Sequence, residues 1–177
     1  ASGGNVCPRI INNLATADWT FSGGIKVISN MNNGNTAGGA QSVIYNANNG
    51  SISMTGAVVF EQAPAGTATG GTQHTSLIEN RQGKMYITGG LTQTTYQAPS
   101  SGAGVYTANS YYTPMVTVRN GVGGGLATMD LGGTGSTVIT DALRNDNVVT
   151  LKGNVEDKGN FYNYNTINLG ANNLTLS

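Results

Sequence analysis

Few residues of this chain could do acid–base or metal chemistry, and they are scattered. Asp141 and Asp146 form one local acidic group. Two carboxylates can flank a glycosidic bond or hold Ca²⁺, but this spacing lacks the alternating ligands and closing glutamate of an EF-hand. His74, the only histidine, has no neighbouring ligand or acid–base partner. The sequence therefore predicts no catalytic residue, metal site or cofactor, and it favours a charged turn at one end of a β core for 141–147 and a solvated loop for His74.

The single cysteine, Cys7, has no partner within the chain for an internal disulfide. A lone cysteine near one end of a chain is often simply buried. In an exported protein it is also available for a disulfide between chains. Both interpretations stay open, and the second makes Cys7 a candidate assembly residue.

Four tyrosines lie in a segment that is rich in Thr, Ser and Gly and free of charge. They are Tyr96, Tyr106, Tyr111 and Tyr112, and residues 91–114 are predicted to be a loop insertion. Loops on a rigid scaffold often carry binding sites, and exposed tyrosine rings suit both sugars and protein surfaces. The four tyrosines are therefore candidate binding residues. The alternative is that their rings cover an open end or side of the β core.

A short pattern recurs three times, and these repeats are the elements that would position any site. It consists of apolar-x-Asn, a glycine-containing turn, apolar-x-apolar and a final glycine. The copies occupy residues 44–56, 78–89 and 118–132, and they start 34 and 40 residues apart. Each copy predicts a strand, a tight turn and a second strand. The recurring asparagine favours a short β-solenoid, parallel β-helix-like, and the alternative is an antiparallel β-sandwich or jelly roll.

Composition supports a single all-β domain over residues 1–177. The chain has 27 Gly, 22 Asn and 22 Thr, all poor helix formers. Charged residues make up only 9% and the formal net charge is zero, which gives no basic surface for nucleic acid. The sequence contains no apolar run long enough to span a membrane. A β protein with so little charge is poorly protected against self-association, so we expect copies of the chain to be its partners.

The two ends of the chain are predicted to differ. Residues 1–18 are a lead-in and a candidate assembly arm, in which 8–17 form either a short helix or a strand. Residues 19–21 and 25–27 predict the first pair of strands, separated by two glycines. Residues 165–177 predict C-terminal strands with clean alternation, and four side chains there are candidate assembly residues: Ile167, Leu169, Leu174 and Leu176.

Repeated Asn-x-Gly turns beside Thr-Ile-x-Leu strands carry a resemblance to a known class of repeats. About the last thirty residues, and more loosely residues 43–56 and 78–90, resemble the parallel β-helix repeats of secreted bacterial adhesins and autotransporter passenger domains. The resemblance implies an exported scaffold at the cell surface, and it carries over no catalytic residue. This chain is much shorter than a usual passenger domain and has a tyrosine-rich insertion.

Three functions follow from these patterns. The first is a structural subunit of an extracellular fibre or surface assembly, which polymerises by β-strand pairing between copies. The second is a module that binds carbohydrate or a host surface, such as an adhesin tip or a viral tail-fibre piece, through the tyrosine loop. The third, a β-helix polysaccharide-degrading enzyme, is the weakest because the eight acidic residues are mostly isolated. The start at Ala1 is what signal-peptide removal would leave, so we expect an extracellular or cell-surface location.

Overall fold

The computed structural model describes residues 10–29, 42–62, 76–94, 116–121, 126–139 and 142–177. These ranges are all-β and contain no helix. The strands, numbered in chain order, are β1 Ile11–Asn13, β2 Asp18–Phe21, β3 Ile25–Ser29, β4 Ile44–Asn46, β5 Ser51–Met54, β6 Val58–Gln62, β7 Ser76–Asn80, β8 Gly83–Ile87, β9 Leu91–Thr94, β10 Val116–Asn120, β11 Ala127–Leu131, β12 Thr137–Ile139, β13 Ala142–Asn145, β14 Val148–Leu151, β15 Val155–Asp157, β16 Asn160–Asn163, β17 Thr166–Asn168 and β18 Leu174–Leu176.

The strands form three six-stranded sheets, and each sheet takes every third strand of the chain. Sheet A runs β1-β4-β7-β10-β13-β16, sheet B runs β2-β5-β8-β11-β14-β17, and sheet C runs β3-β6-β9-β12-β15-β18. Every pairing between the described strands is parallel. The prediction of an all-β chain is therefore confirmed, the parallel sheets are consistent with a β-solenoid-like fold, and the antiparallel alternative is wrong for the described strands.

Many of the strands alternate between buried and more accessible positions, and equivalent buried positions stack from one strand to the next. In sheet B, for example, Ile52 of β5 pairs in register with Met85 of β8, and Met85 pairs with Met129 of β11. All three side chains are buried. Burying an apolar side chain of this size contributes about 1.5–3 kcal/mol, so each repeat gains stability only when its neighbours cover it. This is why the pattern recurs instead of standing alone.

Asparagine and glycine form the tight turns that connect sheet A to sheet B, as the sequence predicted. Asn48 and Asn49 have φ of 60° and 63°, and Gly83 has φ of 97°, a backbone region that Asn and Gly tolerate. A Cβ at Gly83 would lie 2.3 Å from the carbonyl oxygen of Gly50. The glycine is therefore required both for its dihedral angle and for the close approach of the stacked turn.

The repeat unit is larger than the sequence pattern indicated, because a third strand follows each strand–turn–strand copy. Residues 19–21 and 25–27, predicted to pair with each other, belong to β2 in sheet B and β3 in sheet C. They pair instead with β5 and β6 of the next unit. The two glycines between them turn the chain from sheet B to sheet C. Each strand forms its backbone hydrogen bonds with the parallel strand one unit further along the chain.

Three further segments differ from the predictions. Residues 142–145, expected as part of a charged turn, form β13 in the interior of sheet A, because the side chain of Leu143 continues a buried apolar row. Residues 11–13 form a strand, so the helix alternative for 8–17 is wrong over those positions. Residues 91–94 form β9, so the part of the predicted insertion that lies outside the described residues begins at residue 95.

Candidate functional site

One polar row crosses the whole of sheet A. The six strands of that sheet each end on an asparagine, and these asparagines pair in register from strand to strand. We call this row the asparagine ladder: Asn13, Asn46, Asn80, Asn120, Asn145 and Asn163. The first five are buried and the last is exposed. Buried amides need hydrogen-bond partners, and the ladder supplies them.

Every side-chain bond in the ladder runs in the same direction. The Nδ2 of each asparagine donates to Oδ1 of the next, at distances of 2.9, 2.9, 3.0, 3.1 and 2.9 Å from the first pair to the last. The amides also donate across the turn into sheet B, as from Asn120 to the Val148 carbonyl at 2.8 Å and from Asn145 to the Thr166 carbonyl at 3.0 Å. The ladder therefore links neighbouring strands and also fixes the corner between two sheets.

The sequence pattern identified only the three central members of the ladder. Asn13, Asn145 and Asn163 follow the same apolar-x-Asn signal, after Ile11, Leu143 and Phe161. Asn145 and Asn163 escaped notice because the spacing between successive ladder asparagines falls from 40 to 25 and then to 18 residues toward the C-terminus. Asn13 keeps the earlier spacing, 33 residues before Asn46, but it lies in a segment that was interpreted as a lead-in. A search for apolar-x-Asn without a fixed period would have found all six.

Three of the predicted assembly residues near the C-terminus, Ile167, Leu174 and Leu176, lie on the last strands of sheets B and C, and Leu169 directly follows β17. Strands β16, β17 and β18 are the last of their sheets and have a neighbour on only one edge. We call their free edges and the side chains beside them the C-terminal face. Ile167 and Leu174 are half-buried against the core, whereas Leu169 is 44% exposed and Leu176 is 56% exposed. The structure thus places four apolar side chains at the end of the stack, and their role in assembly stays a prediction.

The strands of the C-terminal face carry no charged residue. Their sequences are Asn-Phe-Tyr-Asn, Thr-Ile-Asn and Leu-Thr-Leu. Natural sheet edges are commonly protected from pairing by charged side chains, proline or bulges. These three edges lack charge and proline, and apolar side chains remain accessible beside them.

The opposite end of the stack, the N-terminal face, consists of the free edges of β1, β2 and β3. Trp19 is 38% exposed there, and its ring lies 6.3 Å from that of Phe21. Asn13 is only 1% exposed. Asp18 and Lys26 belong to these strands, so the two ends of the stack differ in charge and in exposure.

One carboxyl group is buried close to the C-terminal face. Asp157 of β15 is fully buried and lies in register between Ile139 and Leu176. Its Oδ1 accepts a hydrogen bond from the Gly159 amide at 3.1 Å, and its Oδ2 has no partner among the described residues. Burial raises the pKa of Asp157 above its ordinary value. Ionisation of the Asp157 carboxyl therefore lowers the stability of the folded state.

Of Asp141 and Asp146, the two carboxylates that the sequence offered for sugar chemistry, the structure describes only Asp146. Asp146 accepts two hydrogen bonds from the Arg144 guanidinium, at 2.8 and 2.9 Å. The same guanidinium lies 5.1 Å from the centre of the Tyr164 ring, so Asp146 is part of an ion pair beside an aromatic side chain. Asp141 lies outside the described residues.

A second polar cluster lies on the outward side of sheet A. The Ser42 hydroxyl donates to the Glu79 carboxylate, and both residues are buried. Arg81 Nη1 donates to the Tyr45 hydroxyl at 3.3 Å. A serine next to a carboxylate lacks the imidazole that usually activates such a hydroxyl, and the only histidine lies outside the described ranges. The arrangement satisfies buried polar atoms of sheet A.

Several predicted residues cannot be placed. Cys7, His74 and the four candidate binding tyrosines (Tyr96, Tyr106, Tyr111 and Tyr112) lie outside the described residues. In the sequence the tyrosines fall between β9 of sheet C and β10 of sheet A. Within the described part of the chain, no three His, Cys, Asp or Glu side chains come together as a metal site, and no helix is long and apolar enough to cross a membrane.

Comparison of the chain with protein-family models, curated proteins and solved structures finds no match. The resemblance to adhesin and passenger-domain repeats stays a prediction from the sequence.

Proposed function

We propose that the chain is a structural subunit of an extracellular fibre or surface assembly, which polymerises by β-strand pairing between copies. We further propose that the three sheets close into a short β-solenoid carrying the tyrosine-rich segment as an insertion. The observation that supports assembly most directly is the C-terminal face. It combines three free parallel edges, accessible Leu169 and Leu176, and strands without charge.

Pairing at this face has a clear physical gain. A free strand edge exposes backbone N–H and C=O groups, and an added strand satisfies them. The apolar side chains beside the edges would lose their remaining exposure, at a gain of about 25 cal/mol per Å² of apolar area. The N-terminal face of another copy offers three strands of the same direction and spacing, so the surface fits a second copy of the chain.

A charge placed on the apolar side of the C-terminal face tests the proposal. Leu176→Lys would replace an apolar side chain by an ammonium group where the next copy must pack, with the Asp157 carboxyl as its neighbour in register. We expect it to abolish assembly because dehydrating a charge at the junction is costly even when the charge forms an ion pair. Thr175→Lys is the matched control, since Thr175 is the neighbouring residue of the same strand and its side chain points to the opposite, solvent side.

Sedimentation velocity over a concentration series reads out both variants, and circular dichroism confirms that each is folded. The proposal predicts large species for the wild type and for Thr175→Lys, and monomers for Leu176→Lys. A wild-type chain that remains monomeric at every concentration would contradict the proposal and shift attention to the carbohydrate- or host-binding alternative. Equal assembly of all three proteins would show that the C-terminal face is not the contact.

A further inference from the structure

We infer that copies of the chain meet head to tail, with the C-terminal face of one copy on the N-terminal face of the next, so that the asparagine ladder continues from Asn163 of one copy to Asn13 of its neighbour. The inference rests on the proposed assembly and goes further, because it specifies which two faces meet, in what register, and with what symmetry. The occupant of the C-terminal face is then the first strand of each sheet in a second copy.

The direction of the ladder carries the argument. Because each Nδ2 donates to the next Oδ1, the row begins with an acceptor and ends with a donor. Among the described residues, no donor reaches Oδ1 of Asn13, and Nδ2 of Asn163 donates to no acceptor. The two ends are therefore complementary to each other and not to themselves.

A two-fold contact between two C-terminal faces fails on the same grounds. It would pair the edge strands antiparallel, although every pairing inside the chain is parallel. Asn163, the last residue of β16, would then lie opposite the start of the partner's β16, so its Nδ2 would meet no acceptor of a ladder asparagine. A head-to-tail contact keeps both the strand direction and the donor–acceptor order.

The apolar rows continue across the same junction. In sheet B the inward row runs, in register, through Trp19, Ile52, Met85, Met129, Val149 and Ile167. Both end members of this row are apolar and partly accessible, and Trp19 is 38% exposed. Placing Ile167 against Trp19 of the next copy reproduces the stacking that already holds inside the chain. Because such a contact joins two different faces, it does not close on itself and produces an open filament.

One feature of the N-terminal face opposes the contact. Asn13 is 1% exposed, so its acceptor oxygen is shielded in the single chain. Continuation of the ladder requires that shield to move when two copies meet. We therefore expect junction formation to be slower than diffusion-limited encounter.

Cysteine cross-linking tests the register. Thr20 and Asn168 occupy one outward row of sheet B, which runs through Ser53, Tyr86, Asp130 and Thr150. Both are exposed, so substitution is tolerated. At a head-to-tail junction they become neighbours on adjacent strands about 4.8 Å apart, within the Cα separation of about 4.4–6.8 Å that a disulfide needs. Thr20→Cys and Asn168→Cys are made separately in a Cys7→Ser background, mixed, and oxidised with oxidised glutathione.

The inference predicts a disulfide-linked dimer in the mixture and none from either variant alone. Lys26→Cys mixed with Asn168→Cys is the mismatched control, because Lys26 belongs to sheet C, and it should remain unlinked. Two outcomes would overturn the inference while leaving the proposed function intact. One is a disulfide between two Asn168→Cys chains. The other is cross-linking of Asn168→Cys to Lys26→Cys as readily as to Thr20→Cys. Absence of any assembly, in the wild-type chain as well as in the Cys7→Ser background, would contradict both the inference and the proposed function.

A second variant tests the ladder itself. Asn163→Asp keeps the acceptor for Asn145 but replaces the free donor with a carboxylate oxygen, which would face the acceptor of Asn13. We expect the concentration for half-assembly to rise roughly tenfold or more. Asn165→Asp introduces the same charge two residues away, outside the ladder, and should leave that concentration within about twofold. Equal effects of the two substitutions would indicate a general charge effect and would overturn the ladder contact.

Discussion

The cost of removing one central member of the asparagine ladder can be worked out from its bonds. Asn80 is fully buried; its Oδ1 accepts from Asn46 at 2.9 Å, and its Nδ2 donates to Asn120 at 3.0 Å and to the Thr128 carbonyl at 2.9 Å. Asn80→Ala leaves the Asn120 Oδ1 and the Thr128 carbonyl without this donor. Each polar group left unsatisfied costs about 1–3 kcal/mol, so for two groups we expect a loss of roughly 2–6 kcal/mol.

This loss is large beside the roughly 5–15 kcal/mol that stabilises an ordinary domain. Urea unfolding followed by circular dichroism gives the free energy of unfolding. Asn12→Ala is the matched control, since Asn12 is an exposed asparagine on the outward side of the same sheet, and it should change stability by less than about 0.5 kcal/mol. Asn163→Ala, at the exposed end of the ladder, should fall between the two. An Asn80→Ala protein as stable as the wild type would refute the conclusion that the ladder fixes the sheet A corner.

Two further predictions concern a close-packed turn and the buried carboxyl. Gly56→Ala should cost about 3 kcal/mol of stability, because its Cβ would lie 2.1 Å from the Gly23 carbonyl oxygen. Gly23→Ala is the control and should be near neutral, since its Cβ meets nothing within 4 Å. Comparable unfolding midpoints for the two variants would show that the stacked turn can shift to accept the extra atom. The folded-state pKa of Asp157 is raised, so its stabilising contribution is complete below the unfolded pKa of about 3.9 and is lost as pH rises through the folded pKa. Asp157→Asn should therefore be at least as stable as the wild type at pH 7, with its relative advantage shrinking on acidification, and a difference that does not vary with pH would contradict this.

The periodic parts of the fold were readable from the sequence, because period-2 alternation and Asn-Gly turns have direct structural consequences. The repeats at 44–56 and 78–89 led correctly to strands joined by tight turns and to a parallel architecture. The third strand of each unit was less visible. Its sequences are short, and residues such as Gln93 or Asp157 occupy inward rows where the pattern expects an apolar side chain.

The ends of the stack and the ladder were only partly predictable, because both depend on pairing between distant residues. The alternation of Leu174 and Leu176 with polar residues was enough to predict a strand. Their exposure could not be predicted, because it follows from β18 being the last strand of its sheet. The segment around Arg144 appeared to be a turn because of its charge density. Charges on the outward side do not prevent a strand when Leu143 continues the buried row, and local composition cannot reveal that row.

The measurement that tests the central claim most directly is negative-stain electron microscopy of the purified chain over a concentration series, with and without reductant. Assembly through the strand edges predicts long filaments of uniform width that appear above a threshold concentration, and loss of these filaments under reductant would assign Cys7 a linking role. Discrete particles of constant size at every concentration would contradict the account.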